Sequence, residues 1–115
     1  MDNDPESTEF KEHFRARLIA EREALAVESK ESEDSRKPVE LDQQSVGRLS
    51  RMDAMQGQAM AAASEARRKQ RAALVEAALR RLDDGDYGYC IDCGEPIGIK
   101  RLEVDPVFPR CVRCA

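Results

Sequence analysis

The chain has 115 residues, of which 37% are charged and 4% are aromatic, and it contains no tryptophan. So few bulky apolar side chains exclude a large hydrophobic core, because ordering each residue costs roughly 1–2 kcal/mol of chain entropy. The formal net charge of −4 also argues against a general nucleic-acid binder, which has to neutralise phosphates.

The first segment, residues 1–7, is polar and acidic, and we expect it to be disordered. No apolar run follows it, so we expect no secretory signal. No stretch of the sequence approaches the ~18 consecutive apolar residues of a membrane-spanning helix. We therefore expect a cytoplasmic protein that does not enter the membrane.

A first helix is predicted from about Thr8 to Asp34. Its apolar residues fall on one stripe, with spacings of four, four and seven: Phe10, Phe14, Leu18 and Leu25. Pro38 disfavours helical backbone at the residue before it, so the first helix should end before Lys37.

A second helix is predicted from Asp42, which is a suitable N-cap, to Asp83 or Asp84. Ser50 is an alternative start, because Ser50 followed by the acid Asp53 resembles a capping box. Gly85 then ends the helix in a left-handed conformation.

Small and uncharged residues repeat every seven positions along this second helix. They form two series: Met52, Ala59, Ala66 and Ala73, and Gln56, Ala63, Gln70 and Ala77. We expect this seam to face the first helix, because small residues let a partner helix approach closely. The sequence thus predicts a mainly α fold, with an antiparallel helical hairpin (coiled coil) over residues 8–84 and a turn near residues 35–42. A purely structural or oligomerising coiled coil would have the same pattern.

Four cysteines lie in the last 26 residues as two C-x-x-C pairs, Cys90 with Cys93 and Cys111 with Cys114. Two such pairs at this separation predict a zinc site, since two turns supply four thiolates for a closed tetrahedron. Disulfides are disfavoured in the cytoplasm and a redox pair needs only one C-x-x-C, whereas an iron–sulfur site stays open as an alternative. We therefore predict one structural zinc in a small finger of little regular structure over residues 85–115.

Catalytic chemistry is not indicated. Four sulfur ligands leave the metal no open position for substrate. The only histidine, His13, falls on a helix face, and there is no Ser/His/Asp set or glycine-rich phosphate loop. We expect the protein not to be an enzyme.

The finger resembles that of a known family. Residues 85–90, 93–94 and 97–103 are similar to the C4 zinc finger of the DksA/TraR family, and the helical hairpin before them fits the architecture of that family. The resemblance implies a partner, bacterial RNA polymerase, which members of the family bind through the secondary channel. Acidic residues at the hairpin tip approach the catalytic centre there, and transcription initiation changes. It implies no direct sequence-specific binding to DNA.

The resemblance assigns roles to residues outside the finger. Counted back from Cys90, Arg67 takes the place of a basic residue that contacts polymerase; otherwise it is a solvated surface arginine. The tip pattern of the family, Asp-x-x-Asp-x-Ala, is not reproduced, and we assign the tip role to Asp42 and Asp53. Their alternative roles are an N-cap for Asp42 and a first-turn acid for Asp53.

The guanosine tetraphosphate alarmone that often cooperates with this family needs cations. At two positions where the family has basic residues, this chain has Leu74 and Asp105, so we expect weak or no alarmone binding. A generic zinc-ribbon module that binds another protein or a nucleic acid is the alternative function.

Overall fold

The structure, a computed structural model, describes residues 3–37 and 48–115, with the side chains of the second range described from Ser50. Within these two ranges four helices form: α1 (Thr8–Glu31), α2 (Glu33–Arg36), α3 (Arg48–Asp84) and α4 (Ile99–Val104). Over the described ranges no strand forms, and a single isolated bridge joins Tyr89 to Pro96. The predicted mainly helical fold is confirmed. None of the described helices is both long and apolar enough for a membrane span.

The ends of the long helices follow local rules. Lys37 has an extended backbone, with φ −64° and ψ 147°, as expected for a residue before a proline. The favoured start of the second helix, Asp42, lies outside the described residues, and Ser50 is the third residue of α3.

A Schellman motif ends α3. Asp86 N donates to Arg81 O at 2.8 Å, and Gly85 N donates to Leu82 O at 3.3 Å. Gly85 itself has a φ of 82°, a left-handed conformation that glycine adopts without steric cost.

The chain divides into two compact units. The first, which we call the finger unit, consists of Met1–Glu23 and Ala72–Ala115. Within it the two long helices run antiparallel, because Arg15 pairs with Asp83 at 2.8 Å and Arg22 pairs with Glu76 at 3.5 Å. The buried apolar side chains of these two helices are Phe10, Phe14, Leu18, Val75, Ala78, Leu79 and Leu82. The predicted apolar stripe of the first helix is therefore confirmed from Phe10 to Leu18.

The second unit, Ala24–Arg71, which we call the hairpin unit, is held by polar contacts. Among its described residues the only buried side chain is Glu65, which is 7% exposed. Arg68 lies 2.9 Å from Glu65 Oε2, and Arg36 lies 3.6 Å from Glu65 Oε1. Arg68 also donates to Ser32 Oγ at 2.7 Å. These contacts again join the helices in antiparallel order.

The small-residue seam does not face the first helix, and that prediction is wrong. Of the eight predicted seam residues, seven are exposed and Ala77 is half-buried. The less exposed face of α3 carries a second series with the same spacing of four and three: Ala61, Glu65, Arg68, Ala72, Val75, Leu79 and Leu82. This series contains the larger apolar side chains, and burial of those side chains decides which face turns inward.

Glu65 generates a prediction about acid sensitivity. Burial opposes its ionisation, but hydrogen bonds from Ser29 and Arg68 hold its pKa below the ordinary value of 4.5. Its stabilising effect is therefore present above pH 4.5 and is lost as the pH falls through its folded pKa. We expect Glu65→Gln to speed amide hydrogen exchange in the hairpin unit at neutral pH. The difference from the unmodified protein should shrink below pH 4.5.

The exposed Glu28 in the same unit is the matched control, and Glu28→Gln should exchange like the unmodified protein. Equal exchange in Glu65→Gln and Glu28→Gln at neutral pH would contradict the stabilising role of the Glu65 contacts.

Candidate metal centre

The first cysteine pair sits on a tight hairpin. Ile97 N donates to Gly88 O, and Cys90 N donates to Glu95 O, both at 2.8 Å. Gly94 follows the pair with a φ of 77° and donates its N–H to Cys90 O at 3.0 Å. This left-handed conformation, which glycine adopts without steric cost, closes the turn behind the pair.

The second cysteine pair forms a turn of similar kind. Cys114 N and Ala115 N both donate to Cys111 O, at 3.1 and 3.0 Å. Ile91 N in the first turn donates to Pro109 O, at 2.9 Å, just before the second. The two turns are thus fixed to each other by backbone contacts before any metal is considered.

The four sulfur atoms form a cluster of the right size for zinc. All lie within 4.8 Å of one another, none is in a disulfide, and Cys93 Sγ lies 3.7 Å from Cys111 Sγ. A tetrahedron with Zn–S bonds of roughly 2.3 Å has edges of about 3.8 Å. The donor set therefore fits one zinc ion, which would be bound by Cys90, Cys93, Cys111 and Cys114 as predicted.

The electrostatics of the cluster also call for a cation. Backbone N–H groups, that of Cys111 first and that of Cys93 next, lower the pKa of Cys90 to about 6. The sulfurs of Cys111, Cys90 and Cys93 raise the pKa of Cys114 to about 12. Four neighbouring thiolates repel one another, so a divalent ion is what lets all four ionise together. With four sulfur ligands the ion has no position for water, and its role is structural.

The finger rests on an aromatic cluster. The Tyr87 ring centroid lies 6.2 Å from that of Phe10 and 5.8 Å from that of Phe14. Tyr87 Oη donates to Pro106 O at 2.7 Å, and burial raises the pKa of this tyrosine above its ordinary value. Tyr87 therefore joins the helices of the finger unit to the segment that leads to the second cysteine pair.

The short helix α4 lies between the cysteine pairs and is the regular element of a finger predicted to have little regular structure. Leu102 is fully buried and Ile99 is half-buried. Arg17 of α1 donates to Glu103 O at 2.7 Å, which satisfies a carbonyl at the end of α4. Arg101 lies 4.2 Å over the Phe108 ring and donates to Arg110 O at 2.9 Å.

Residues 3–7 pack against the finger, whereas disorder was expected for residues 1–7. Asn3 Oδ1 accepts from Ile99 N at 3.0 Å, and Tyr89 Oη donates to Glu6 at 2.7 Å. Pro5 is buried against Gly88, where a Cβ would lie 2.8 Å from the proline Cβ. These contacts join residues that are more than 80 positions apart, so no local sequence pattern predicts them. The one signal is the glycine between two tyrosines, because a glycine often marks a place where another part of the chain approaches the backbone closely.

The other predicted site residues lie in the hairpin unit. Asp53 and Arg67 are exposed on α3, and Asp42 lies outside the described residues. Arg67 donates to Ser64 Oγ at 3.0 Å. The structure brings together the four metal ligands, whereas the roles of these three residues stay predictions.

Zinc removal gives a direct prediction. The finger has few buried side chains, so its fold should depend on the metal. We expect one zinc per purified chain by elemental analysis and loss of this zinc in Cys111→Ser. Amide exchange over residues 85–115 should then become fast. Val112→Ser places the same residue at an exposed position (73%) of the same turn and should keep the metal. If these amides remain protected from hydrogen exchange after a chelator has removed the zinc, the structural role of zinc is contradicted.

Comparison with known proteins agrees with this geometry. Residues 85–115 match the prokaryotic dksA/traR C4-type zinc finger family. The RNA polymerase-binding transcription factor DksA of Haemophilus influenzae is 52% identical over 40 residues, which is 35% of this chain and 28% of that protein. The protein of the same name from Caulobacter vibrioides is 34% identical over 96 residues, which is 83% of this chain and 66% of that protein.

A solved structure supports the mainly helical fold. Transcription factor DksA2 from Pseudomonas aeruginosa superposes with a TM-score of 0.73 at 26% identity, covering 90% of this chain and 78% of that one. Because the Caulobacter alignment and this superposition both extend well beyond the finger, the likeness includes the helices. The chain belongs to the DksA/TraR family of C4-type zinc finger proteins.

Proposed function

We propose that this protein is a transcription regulator that binds bacterial RNA polymerase and acts through its secondary channel. The observation that carries the proposal is the 96-residue similarity to the RNA polymerase-binding factor of Caulobacter, which is far longer than the finger at residues 85–115. The protein would act in the cytoplasm by binding alone, without chemistry of its own.

The metal centre supports this function as a scaffold. Its zinc would hold the two cysteine turns, and Tyr87 and Arg17 would transmit that rigidity to the helices of the finger unit. A closed tetrahedron offers no Lewis-acid site to a substrate. The zinc would therefore fix a binding surface for the polymerase.

Asp53 supports the proposed tip. It is exposed in the second turn of the described part of α3, where a carboxylate is free to face a partner. Together with Asp42 it would present negative charge to the magnesium-containing catalytic centre of the polymerase, where opposite charges attract at short range once the hairpin is docked.

Arg67 differs from its neighbour Arg68 in its hydrogen-bond partners. Arg68 is bound to Glu65 and Ser32 inside the hairpin unit. Arg67 is exposed, and its one described hydrogen bond is to the nearby Ser64. Of these adjacent arginines, Arg67 is thus the one that is available for contact with polymerase.

The proposal is tested by binding and transcription with core RNA polymerase. Asp42→Asn/Asp53→Asn should still co-purify with polymerase but lose the effect on initiation, since the charges act after docking. Arg67→Ala should weaken binding roughly tenfold, as an interface arginine often does. Binding is measured by competition for labelled protein and initiation by single-round transcription.

Two variants serve as controls. Glu9→Gln/Glu12→Gln removes two exposed acids of α1, and Lys69→Ala removes an exposed cation close to Arg67; both should behave like the unmodified protein. Absence of any polymerase binding, together with a shift of labelled DNA, would favour the generic zinc-ribbon function instead.

At the two positions where the family has basic residues for the alarmone, the side chains of this protein support an effect on transcription that does not depend on the alarmone. Leu74 is apolar and 49% exposed, and Asp105 Oδ1 accepts from Val107 N at 3.2 Å while carrying negative charge. A tetraphosphate would meet one uncharged and one repulsive side chain there.

We therefore expect guanosine tetraphosphate to leave the transcription effect of this protein unchanged. The measurement is a titration of the alarmone with a polymerase that lacks any other site for it. Leu74→Lys/Asp105→Arg should gain a response, because it supplies two cations. Strong synergy with the unmodified protein would contradict the proposal.

A further inference from the structure

The outer face of α3 in the hairpin unit has an unusual composition. Six exposed positions on this face, which we call the outer seam, carry no charge: Met52, Gln56, Ala59, Ala63, Ala66 and Gln70. Met55 and Met60 flank the seam, and they are 59% and 65% exposed. In a chain with 37% charged residues, a solvated helix face normally carries charges.

The interior of the same unit has the opposite polarity. Its buried described side chain is the charged Glu65, in contact with Arg36 and Arg68. A buried polar group and an exposed apolar face each indicate a functional surface more strongly than a single exposed apolar residue does. Their occurrence in one unit indicates that the outer seam is adapted to a partner.

The spacing of the outer seam specifies the kind of partner. Its residues are separated by four, three, four, three and four positions, which is the repeat that places side chains into the holes of another helix. The alanines at its centre would let the second helix approach closely. A flat or irregular surface would not require this repeat.

We propose that this partner is α3 of a second copy of the chain, packed antiparallel across the outer seam. In this arrangement Ala59 of one copy lies opposite Ala63 of the other, and Met52 lies opposite Gln70. The contact is self-complementary about a two-fold axis, as a homodimer interface has to be.

Charge complementarity favours a second copy. On one side of the outer seam the flanking residues, at seven-residue intervals, are Asp53, Met60 and Arg67, all exposed. Residues on the same side of two antiparallel helices adjoin each other. Asp53 therefore lies opposite Arg67 of the second copy, twice by symmetry, and Met60 lies against its own counterpart.

The other flank contains no like-charge contact. Its residues are Met55, Ala62 and Lys69, and the antiparallel order places Met55 against Lys69 of the second copy. The alkyl stem of lysine packs favourably on an apolar side chain. The outer seam spans about 27 Å of helix, so the interface is small and the dimer should be weak and concentration-dependent.

Sedimentation velocity of the zinc-loaded chain over increasing concentration tests the proposal without polymerase, so its failure is separate from failure of the proposed function. The unmodified protein should pass from monomer to dimer. Ala63→Glu should weaken dimerisation about tenfold or more, because it buries charge in the outer seam. Glutamate favours helix, so circular dichroism should be unchanged.

Ala26→Glu is the matched control, since it adds the same side chain at an exposed position of α1 in the same unit, and it should dimerise normally. A protein that stays monomeric at every concentration would overturn the proposal. So would an Ala63→Glu variant that dimerises as tightly as Ala26→Glu.

A charge swap tests the antiparallel order. Asp53→Arg and Arg67→Asp each place like charges opposite each other and should weaken the dimer roughly three- to tenfold. The double variant restores opposite charges and should recover the original affinity to within about twofold. A double variant weaker than either single variant would rule out this pairing.

Discussion

Closure of two cysteine turns around one cation is the constraint on which the finger unit depends. The turns are already fixed to each other by the contact between Ile91 and Pro109, yet their four sulfurs repel when ionised. Zinc converts that repulsion into attraction and provides stability that a core of so few bulky side chains cannot. The surrounding contacts then need only to orient the finger, and single residues such as Tyr87 and Arg17 suffice for this.

The N-terminal segment acts on the same finger from the other end of the chain. Asn3 satisfies a backbone N–H at the start of α4, and Arg17 satisfies carbonyls at its end. A helix of six residues has most of its backbone groups unpaired by the helix itself. Its stability therefore comes from residues that precede it by more than 80 positions in the sequence.

Local rules accounted for much of this structure in advance. The cysteine spacing predicted the ligand set, Gly85 predicted the end of α3, and the residue before Pro38 has the expected extended backbone. These predictions succeeded because each depends on a few neighbouring residues. The helical periodicity and the break at Pro38 predicted the two helices of a hairpin, the family resemblance agreed with that architecture, and the solved structure of a relative supports the helical fold.

Predictions that required a choice between distant surfaces failed. Residues 3–7 are ordered because Pro5 packs against Gly88, where only a glycine leaves room for it. The sequence of residues 3–7 alone does not predict this contact. The second helix carries two series with the same heptad spacing on opposite faces, so periodicity alone could not select the inner one. The inner series is the one that contains Val75, Leu79 and Leu82, because burial of these larger side chains contributes more than burial of alanines.

The inverted polarity of the hairpin unit connects its stability with its interactions. Because Glu65 and its arginines hold the helices together, the unit does not need its methionines and alanines as a core, and these remain available on the outside. The proposed antiparallel dimer and the proposed polymerase complex both use Asp53 and Arg67. One side chain cannot contact both partners, so self-association would compete with polymerase binding, and the fraction of active protein would fall as its concentration rises.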